Sequence, residues 1–382
     1  MFAGLTLGAE EPWKRHTIDD SSKGADGARL KDVNGDGLPD IATGWEEGGV
    51  VRVYLHPGKE RVREKWPAVT VGKVKSAEDA VFLDVDGDGR NDVLSSCEGR
   101  TRQIFIHWAP KDPKEFLVPE KWKTESIPAT AGKQSWMYAL PIGNGNQFLL
   151  GSKGQGATIG LLNPGQRPRN PTDWTYRKWV DASWIMSMRS VDMDGDGDLD
   201  VLASDRKGRN PRVLWLENPG KKGISNPWKE RLVGAKGRQV MFLDAGDLNG
   251  DGRVDVAVPA LPRDILLLFQ PAQPDRPWRE EKITFDSSKY GTSKAVRILD
   301  LDLDGQLELA VTCENANGRL SGVLMLKKNK DGEWRDQNLG GPEGIKFDRI
   351  AYADLDQDGD IDLITCEERD QLGVVWYENP AR

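Results

Sequence analysis

Nine residues, Asp192-Met193-Asp194-Gly195-Asp196-Gly197-Asp198-Leu199-Asp200, set carboxylates at positions 1, 3, 5 and 9. Glycines at positions 4 and 6 let the backbone fold tightly round a point, because they carry no Cβ. Such a loop surrounds a hard cation with oxygens. Calcium takes six to eight oxygen ligands at about 2.3–2.6 Å, from carboxylates and backbone carbonyls. Asp192, Asp194, Asp196 and Asp200 offer the carboxylates, and the Asp198 carbonyl offers a further oxygen. A helical calcium loop closes with Glu at its twelfth position. This one closes with Asp at the ninth and runs into Val201-Leu202-Ala203, a strand-like segment.

Five further loops repeat the pattern. Their expected ligands are Asp32, Asn34, Asp36 and Asp40; Asp84, Asp86, Asp88 and Asp92; Asp247, Asn249, Asp251 and Asp255; Asp300, Asp302, Asp304 and Glu308; and Asp354, Asp356, Asp358 and Asp362. A seventh is due at 140–150, where LPIGNGNQFLL carries no carboxylate. The starts fall near 32, 84, 141, 192, 247, 300 and 354, a period of 51 to 57 residues. Asp/Gly-rich stretches are ordinarily solvated turns. A steady period with an apolar strand after each loop instead marks a repeat architecture. The expected cofactor is structural calcium at about six sites, with none in the third repeat, and the residues do not indicate a catalytic divalent metal.

A second set of residues bears on chemistry. Six positions beyond the last loop ligand stand Glu46, Glu98, Lys153, Arg206, Leu261, Glu314 and Glu368. All but one are charged. Arg100, Lys207, Trp136, Trp184 and Tyr290 lie close to them in the chain or on neighbouring loops. A mouth mixing carboxylates, Lys/Arg and aromatics suits a polyhydroxylated ligand. Aromatic faces stack on sugar C–H surfaces, while Arg and carboxylates bind hydroxyls. Lys153, Arg206, Glu98 and Glu314 are the candidate catalytic residues. Glu46, Arg100, Trp136, Trp184, Lys207, Tyr290 and Glu368 are the candidate substrate contacts. The competing reading is a solvated rim of alternating charges. On that picture a rim charge costs little to remove, within about 0.5 kcal/mol. The only histidines are His16, His56 and His107, all placed away from this set, which disfavours a three-His zinc centre. No nucleophile elbow or phosphate-binding glycine loop is present. Proton abstraction beside a sugar carbonyl, followed by β-elimination, fits the remaining inventory.

These residues need elements to hold them. Each repeat reads as four short strands: one before the acidic loop, one after it, one ending in a Pro turn, and a Trp-led strand such as Trp228–Val233. Seven such units without helical periodicity predict an all-β fold, a seven-bladed β-propeller of four-stranded blades. The chain opens on a Trp-led strand with no repeat before it and closes on a third strand with no Trp-led strand after it. Residues 13–18 are therefore expected to complete the last blade. Residues 12–382 form one domain on this reading.

The formal net charge is −8, and much of the acid sits in the loops, so it does not argue for a basic partner. No apolar run reaches transmembrane length. Residues 1–11 resemble the end of a secretion signal, with a small-residue site at Gly8-Ala9. Acidic loops of this kind fill where calcium is near millimolar, so the expectation is a secreted or periplasmic protein. Cys97, Cys313 and Cys366 fall in different repeats and read as buried strand residues.

The loops DVNGDGLPD, DVDGDGRND, DMDGDGDLD, DLNGDGRVD and DLDQDGDID resemble FG-GAP/VCBS repeats, the calcium-loop propeller units also found in integrin α heads and secreted bacterial proteins. DLDLDGQLE departs from them at Leu303 and Glu308. More narrowly, GWEEGGVVRVYLHPG, EDAVFLDVDGDG, CEGRTR, WIMSM and DMDGDGDLDVLASDRKG resemble the propeller of aldos-2-ulose (anhydrofructose) dehydratases, which also carry cupin-type domains. That resemblance implies a carbohydrate lyase or dehydratase acting on a keto- or anhydro-sugar. The broader one implies a non-catalytic binding module for glycan or protein. Neither implies nucleic acid or membrane insertion as a partner, and a monomer is expected.

Overall fold

The computed structural model describes residues 11–143, 146–273 and 276–382. The segment read as a signal remnant lies outside them except for Glu11, as do Asn144 and Gly145 of the third repeat's loop. The described residues form seven antiparallel four-stranded sheets. Blade 1 is Ala25–Lys31, Asp40–Trp45, Val50–Tyr54 and Ala68–Gly72, and the next five follow the same order. Blade 7 consists of Ala351–Ala353, Asp362–Glu367 and Gly373–Glu378, completed by Lys14–Asp19 from the other end of the chain. Lys14 pairs with Glu378 and Asp19 with Val374. The expected closure is therefore present, and it covers the edge that Gly373–Glu378 would otherwise expose.

Burial explains the strand sequences. Second strands are packed on both faces by neighbouring blades, so Asp40–Trp45, Asp92–Cys97 and Asp200–Asp205 are buried throughout. A continuous apolar run is what two covered faces require. Outermost strands face water, and Lys229–Gly234 is mostly exposed. The cores lie between blades: Val51, Val53 and Val69 of blade 1 meet Ala80, Phe82 and Val93 of blade 2. Trp13, Trp66, Trp122, Trp174 and Trp228 are buried in these seams, as packing elements. The three cysteines are free and buried. No described helix is long and apolar enough to cross a membrane.

The acidic loops join first to second strands, all on one face. On the axis between the faces, side chains bind blade to blade. Asp79 of blade 2 accepts both Nε and Nη2 of Arg29 at 2.9 Å, Nη2 of Arg349 at 2.6 Å, and the Ala139 amide at 3.1 Å. Burial alone would raise the Asp79 carboxyl, but the two guanidiniums outweigh it and hold it at about 2. Asp244 similarly engages Arg189 and lies 3.7 Å from Arg297. Blades 1, 2, 3 and 7 are thus tied at one carboxylate.

Candidate functional site

The face opposite the loops holds a cavity of about 230 Å³ on the axis. Glu46, Glu98, Lys153, Arg206, Glu314 and Glu368 all line it, from six different blades. Leu261, at the same position in blade 5, packs into the apolar core instead. Trp184 also lines the cavity. Its ring is ringed by cations: Lys153 Nζ at 4.6 Å, Arg206 at 4.8 Å and Lys207 Nζ at 4.5 Å from the ring centre. Buried Asp205 fixes this corner, accepting the Ser183 amide at 3.0 Å and the Trp184 amide at 2.8 Å while holding Arg212 at 3.1 Å. Buried Glu367 does the same in blade 7, with Oε1 accepting the amides of Ile345 and Lys346 at 3.1 Å.

The charges are interlocked rather than solvated. Lys153 pairs with Glu98 and lies 3.5 Å from Glu78. Arg206 stands 3.9 Å from Glu314, which also meets Lys294 at 3.3 Å. Lys346 pairs with Glu368. The Lys153 and Arg206 side chains are only 19% and 14% exposed, so they are not free rim charges. Burial raises the Glu368 carboxyl to about 7, with Lys294 opposing the rise and Asp348 adding to it. Burial raises Glu46, helped by Glu78, and lowers the Arg206 guanidinium.

Four expected contacts fall elsewhere. Trp136 is fully buried, donating Nε1 to the Thr130 carbonyl at 3.2 Å and packing edge-on against Tyr176. Its strand bulges between Trp136 and Tyr138, so Met137 and Tyr138 line the cavity while Trp136 faces the seam. A bulge re-aims the side chains beside it. Tyr290 is buried against Phe285, its hydroxyl donating to Asp336 at 2.9 Å on the outermost strand of blade 6. Arg100 sits on an exposed turn and does not line the cavity. Lys207 is exposed and does not line the cavity, though its Nζ stands over the Trp184 ring.

Other lining residues are Asp26, Glu78, Met186 and Lys294 on first strands, and Asp348 just ahead of the first strand of blade 7. Each stands six positions before the first loop ligand of its repeat, a count that finds them in the sequence. The same count in blade 5 lands on Met241, next to cavity-lining Phe242. Arg349 lies across Gly27, where a Cβ would come within 2.1 Å of the guanidinium. A side chain at position 27 would displace it.

The acidic loops share one hydrogen-bond plan. The first carboxylate accepts the amides of positions 4 and 6, as Asp32 does from Gly35 at 2.7 Å and Gly37 at 2.9 Å. Asp84, Asp192 and Asp247 repeat this. In Asp300 and Asp354 the bond to the sixth residue is present. The fifth carboxylates, Asp36, Asp88, Asp196, Asp251, Asp304 and Asp358, each accept the amide two residues on. The ninth carboxylate is buried and staples the loop to the end of the third strand. Asp40 accepts the Val33 and His56 amides, both at 2.9 Å. Asp92, Asp200, Asp255 and Asp362 do the same. Glu308 accepts only from Leu301, at 2.8 Å.

Side-chain oxygens of Asp84, Asp86 and Asp92 lie within 4.8 Å of one another, as do those of Asp192, Asp194 and Asp200, and of Asp300, Asp302 and Asp304. Asp300 Oδ1, Glu308 Oε1, Asp356 Oδ1 and Asp360 Oδ1 are buried without a hydrogen-bond partner. Converging, partnerless oxygens on a pre-formed turn fit a hard cation of calcium's kind. Asn34, Asn249, Asp302 and Asp356 occupy the third position. Four loops also carry a protein cation: Arg169 on Asp86 and Asp88, Arg253 on Asp251, Arg63 on Asp356, and Lys327 on Asp302 and Asp304.

A family profile described as "FG-GAP-like repeat" matches residues 32–95, 192–258 and 300–365, more than half of the chain. The chain belongs to the FG-GAP-like repeat family. In this FG-GAP-like protein each matched stretch begins at the first residue of an acidic loop. No curated protein matches it. Among solved structures it is similar to Sqt1 of Saccharomyces cerevisiae, at 10% identity and a TM-score of 0.52, over 97% of this chain and 99% of that one. It is also similar to the β-propeller domain of Cps50 (Swd1) from Myceliophteria thermophila, at 13% identity and a TM-score of 0.55, over 95% of this chain and 98% of that one. At such identities the likeness shows the fold alone.

Proposed function

We propose that the axial funnel binds a polyhydroxylated small molecule and that the protein is a carbohydrate lyase or dehydratase acting on a keto- or anhydro-sugar. The observation that carries this reading is the convergence of six blades' charged residues on one small cavity walled by Trp184. A ring face flanked by Lys153 and Arg206 suits stacking on a sugar while cations hold its oxygens. The narrower resemblance to aldos-2-ulose dehydratases supports the substrate class. In the proposed reaction Glu98 takes the proton next to the carbonyl. Lys153 and Arg206 hold the enolate oxygen. The enolate electrons re-form the carbonyl and a new C=C bond as hydroxide leaves the β-carbon, and Glu314 relays the proton that makes it water.

The loops are proposed to hold calcium, which neutralises their crowded carboxylates, in a secreted or periplasmic setting. The test is incubation of the full chain with anhydrofructose and keto-glycosides while following the absorbance of an enone. Turnover is expected, and Lys153→Ala and Arg206→Ala should abolish it. Lys153→Ala leaves Glu98 and Glu78 half-buried and unpaired, so it should also cost about 1–3 kcal/mol of stability. Assays therefore belong well below the variant's melting temperature. Binding of these sugars without turnover would leave a binding module. Neither binding nor turnover would overturn the reading.

A further inference from the structure

We propose that the axis beneath the funnel floor holds a small inorganic oxyanion of the sulfate or phosphate kind, gripped by Arg189, Arg297 and Arg349. The first strands of blades 1, 4 and 6 each set an arginine three positions before the first loop ligand: Arg29, Arg189 and Arg297. Blade 7 adds Arg349, and blade 3 sets Tyr138 among them. The guanidinium of Arg29 lies 4.0 Å from the centre of the Tyr138 ring, and that of Arg349 lies 5.4 Å from it. Tyr138 and Arg349 also line the cavity, so this tier forms the funnel's floor.

Four guanidiniums here face two carboxylates. Arg29 and Arg349 share Asp79, while Arg189 and Arg297 share Asp244. Arg297 stands 3.7 Å from Asp244 and donates its Nε to the Ile350 carbonyl at 2.7 Å, a neutral acceptor. Arg349 is 4% exposed, and its Nε is buried without a hydrogen-bond partner. Asp348, its neighbour in the chain, is occupied by Lys294 and by a hydrogen bond with Asp26. Each arginine pair is thus one negative charge short. Burial pushes the Arg297 guanidinium down to about 10, and the charges of Arg349 and Arg29 add to the fall. Buried cations without a counter-charge destabilise the fold, and an anion between them relieves this. Arginine forks present parallel N–H donors that match an oxyanion. The tier is open to solvent. The Arg189 side chain is 28% exposed, and Tyr352, whose hydroxyl hydrogen-bonds Arg189, is 38% exposed. Tyr352 lies two residues ahead of the seventh acidic loop, so an anion can enter from the loop face. The site does not depend on the sugar chemistry proposed above.

The probe is sodium sulfate, titrated calorimetrically into full-length protein in chloride-free HEPES buffer. A single saturable site per chain is expected. Arg297→Gln and Arg189→Gln should each weaken it about tenfold or more, as the loss of a charged hydrogen bond would. Arg206→Ala in the funnel and Lys229→Ala on the exposed outer strand of blade 4 should bind sulfate as the wild type does. Should Arg297→Gln fail to fold, Arg189→Gln carries the test. Absence of saturable heat, or equal affinity in the wild type and the folded arginine variants, overturns the site. Sulfate binding lost in Arg206→Ala but kept in Arg189→Gln would put the anion among the funnel charges and overturn it as well.

Discussion

His107 shows how much one side chain's surroundings matter. It is fully buried in the seam between blades 1 and 2, beside Gly72, and its ring nitrogens meet Ser95 Oγ and Thr124 Oγ1 at 2.9 Å. Burial pushes its imidazole from the ordinary 6.5 down to about 3. Between those values the unfolded chain carries a proton that the folded chain does not. Stability is therefore full above pH 6.5 and lost as pH falls toward 3, by about 1.4 kcal/mol per pH unit. His107→Gln keeps hydrogen-bonding groups without the titration. Urea unfolding at pH 7 and pH 5 should show the wild type losing about 2 kcal/mol more than the variant. Equal losses would mean that the ring is hydrated or charged in the fold. Type and spacing made the six funnel charges legible in the sequence, because each follows its loop at a fixed count. Trp136 and Tyr290 were not legible, since a bulge or a nearby apolar seam decides which way an aromatic ring turns. Neither leaves a mark in spacing.

At the level of the acidic loop, the sixth differs from its relatives. Leu303 occupies the usual glycine position with φ +61°, a strained setting it shares with Gln357 of the seventh loop at φ +58°. Lys327 reaches 2.7 Å from Asp304 Oδ2 and 3.8 Å from Glu308 Oε1, and it also pairs with Asp302. In blades 1, 2, 4, 5 and 7 its position holds Leu55, Trp108, Glu217, Phe269 and Glu378, none of them cationic. The ammonium stands where a metal's charge would otherwise be needed. Lys327→Ala should therefore lower the melting temperature more in chelator than in excess calcium, because three facing carboxylates then lack any counter-charge. A drop of equal size in both media would count against this account. The loop motif itself was plain from residue types. The stapling role of its ninth carboxylate was not, because the partner amides of His56, Ala109, Asn218, Gln270 and Asn379 lie about 16 residues further along the chain.

Across the whole molecule the loops act together. Every blade but the third carries one, and in five of the six the ninth carboxylate ties the loop to the end of the third strand. Ligand that binds only the folded state stabilises it in proportion to occupancy. Excess chelator should then lower the melting temperature strongly, and dialysed protein should hold five or six calcium ions in its loops. An unchanged transition, or two ions or fewer, would remove calcium from the account. Fold class and ring closure were readable because seven repeats and two unmatched strand types admit one arrangement. The axial ties at Asp79 and Asp244 were not, since they join residues from blades far apart in sequence. The closing strand has a consequence in time. Lys14–Asp19 leaves the ribosome early but pairs with Gly373–Glu378, some 360 residues later. At roughly 5–20 residues per second, that is a wait on the order of tens of seconds. During synthesis the chain must shield a lone hydrogen-bonding strand until its last blade arrives.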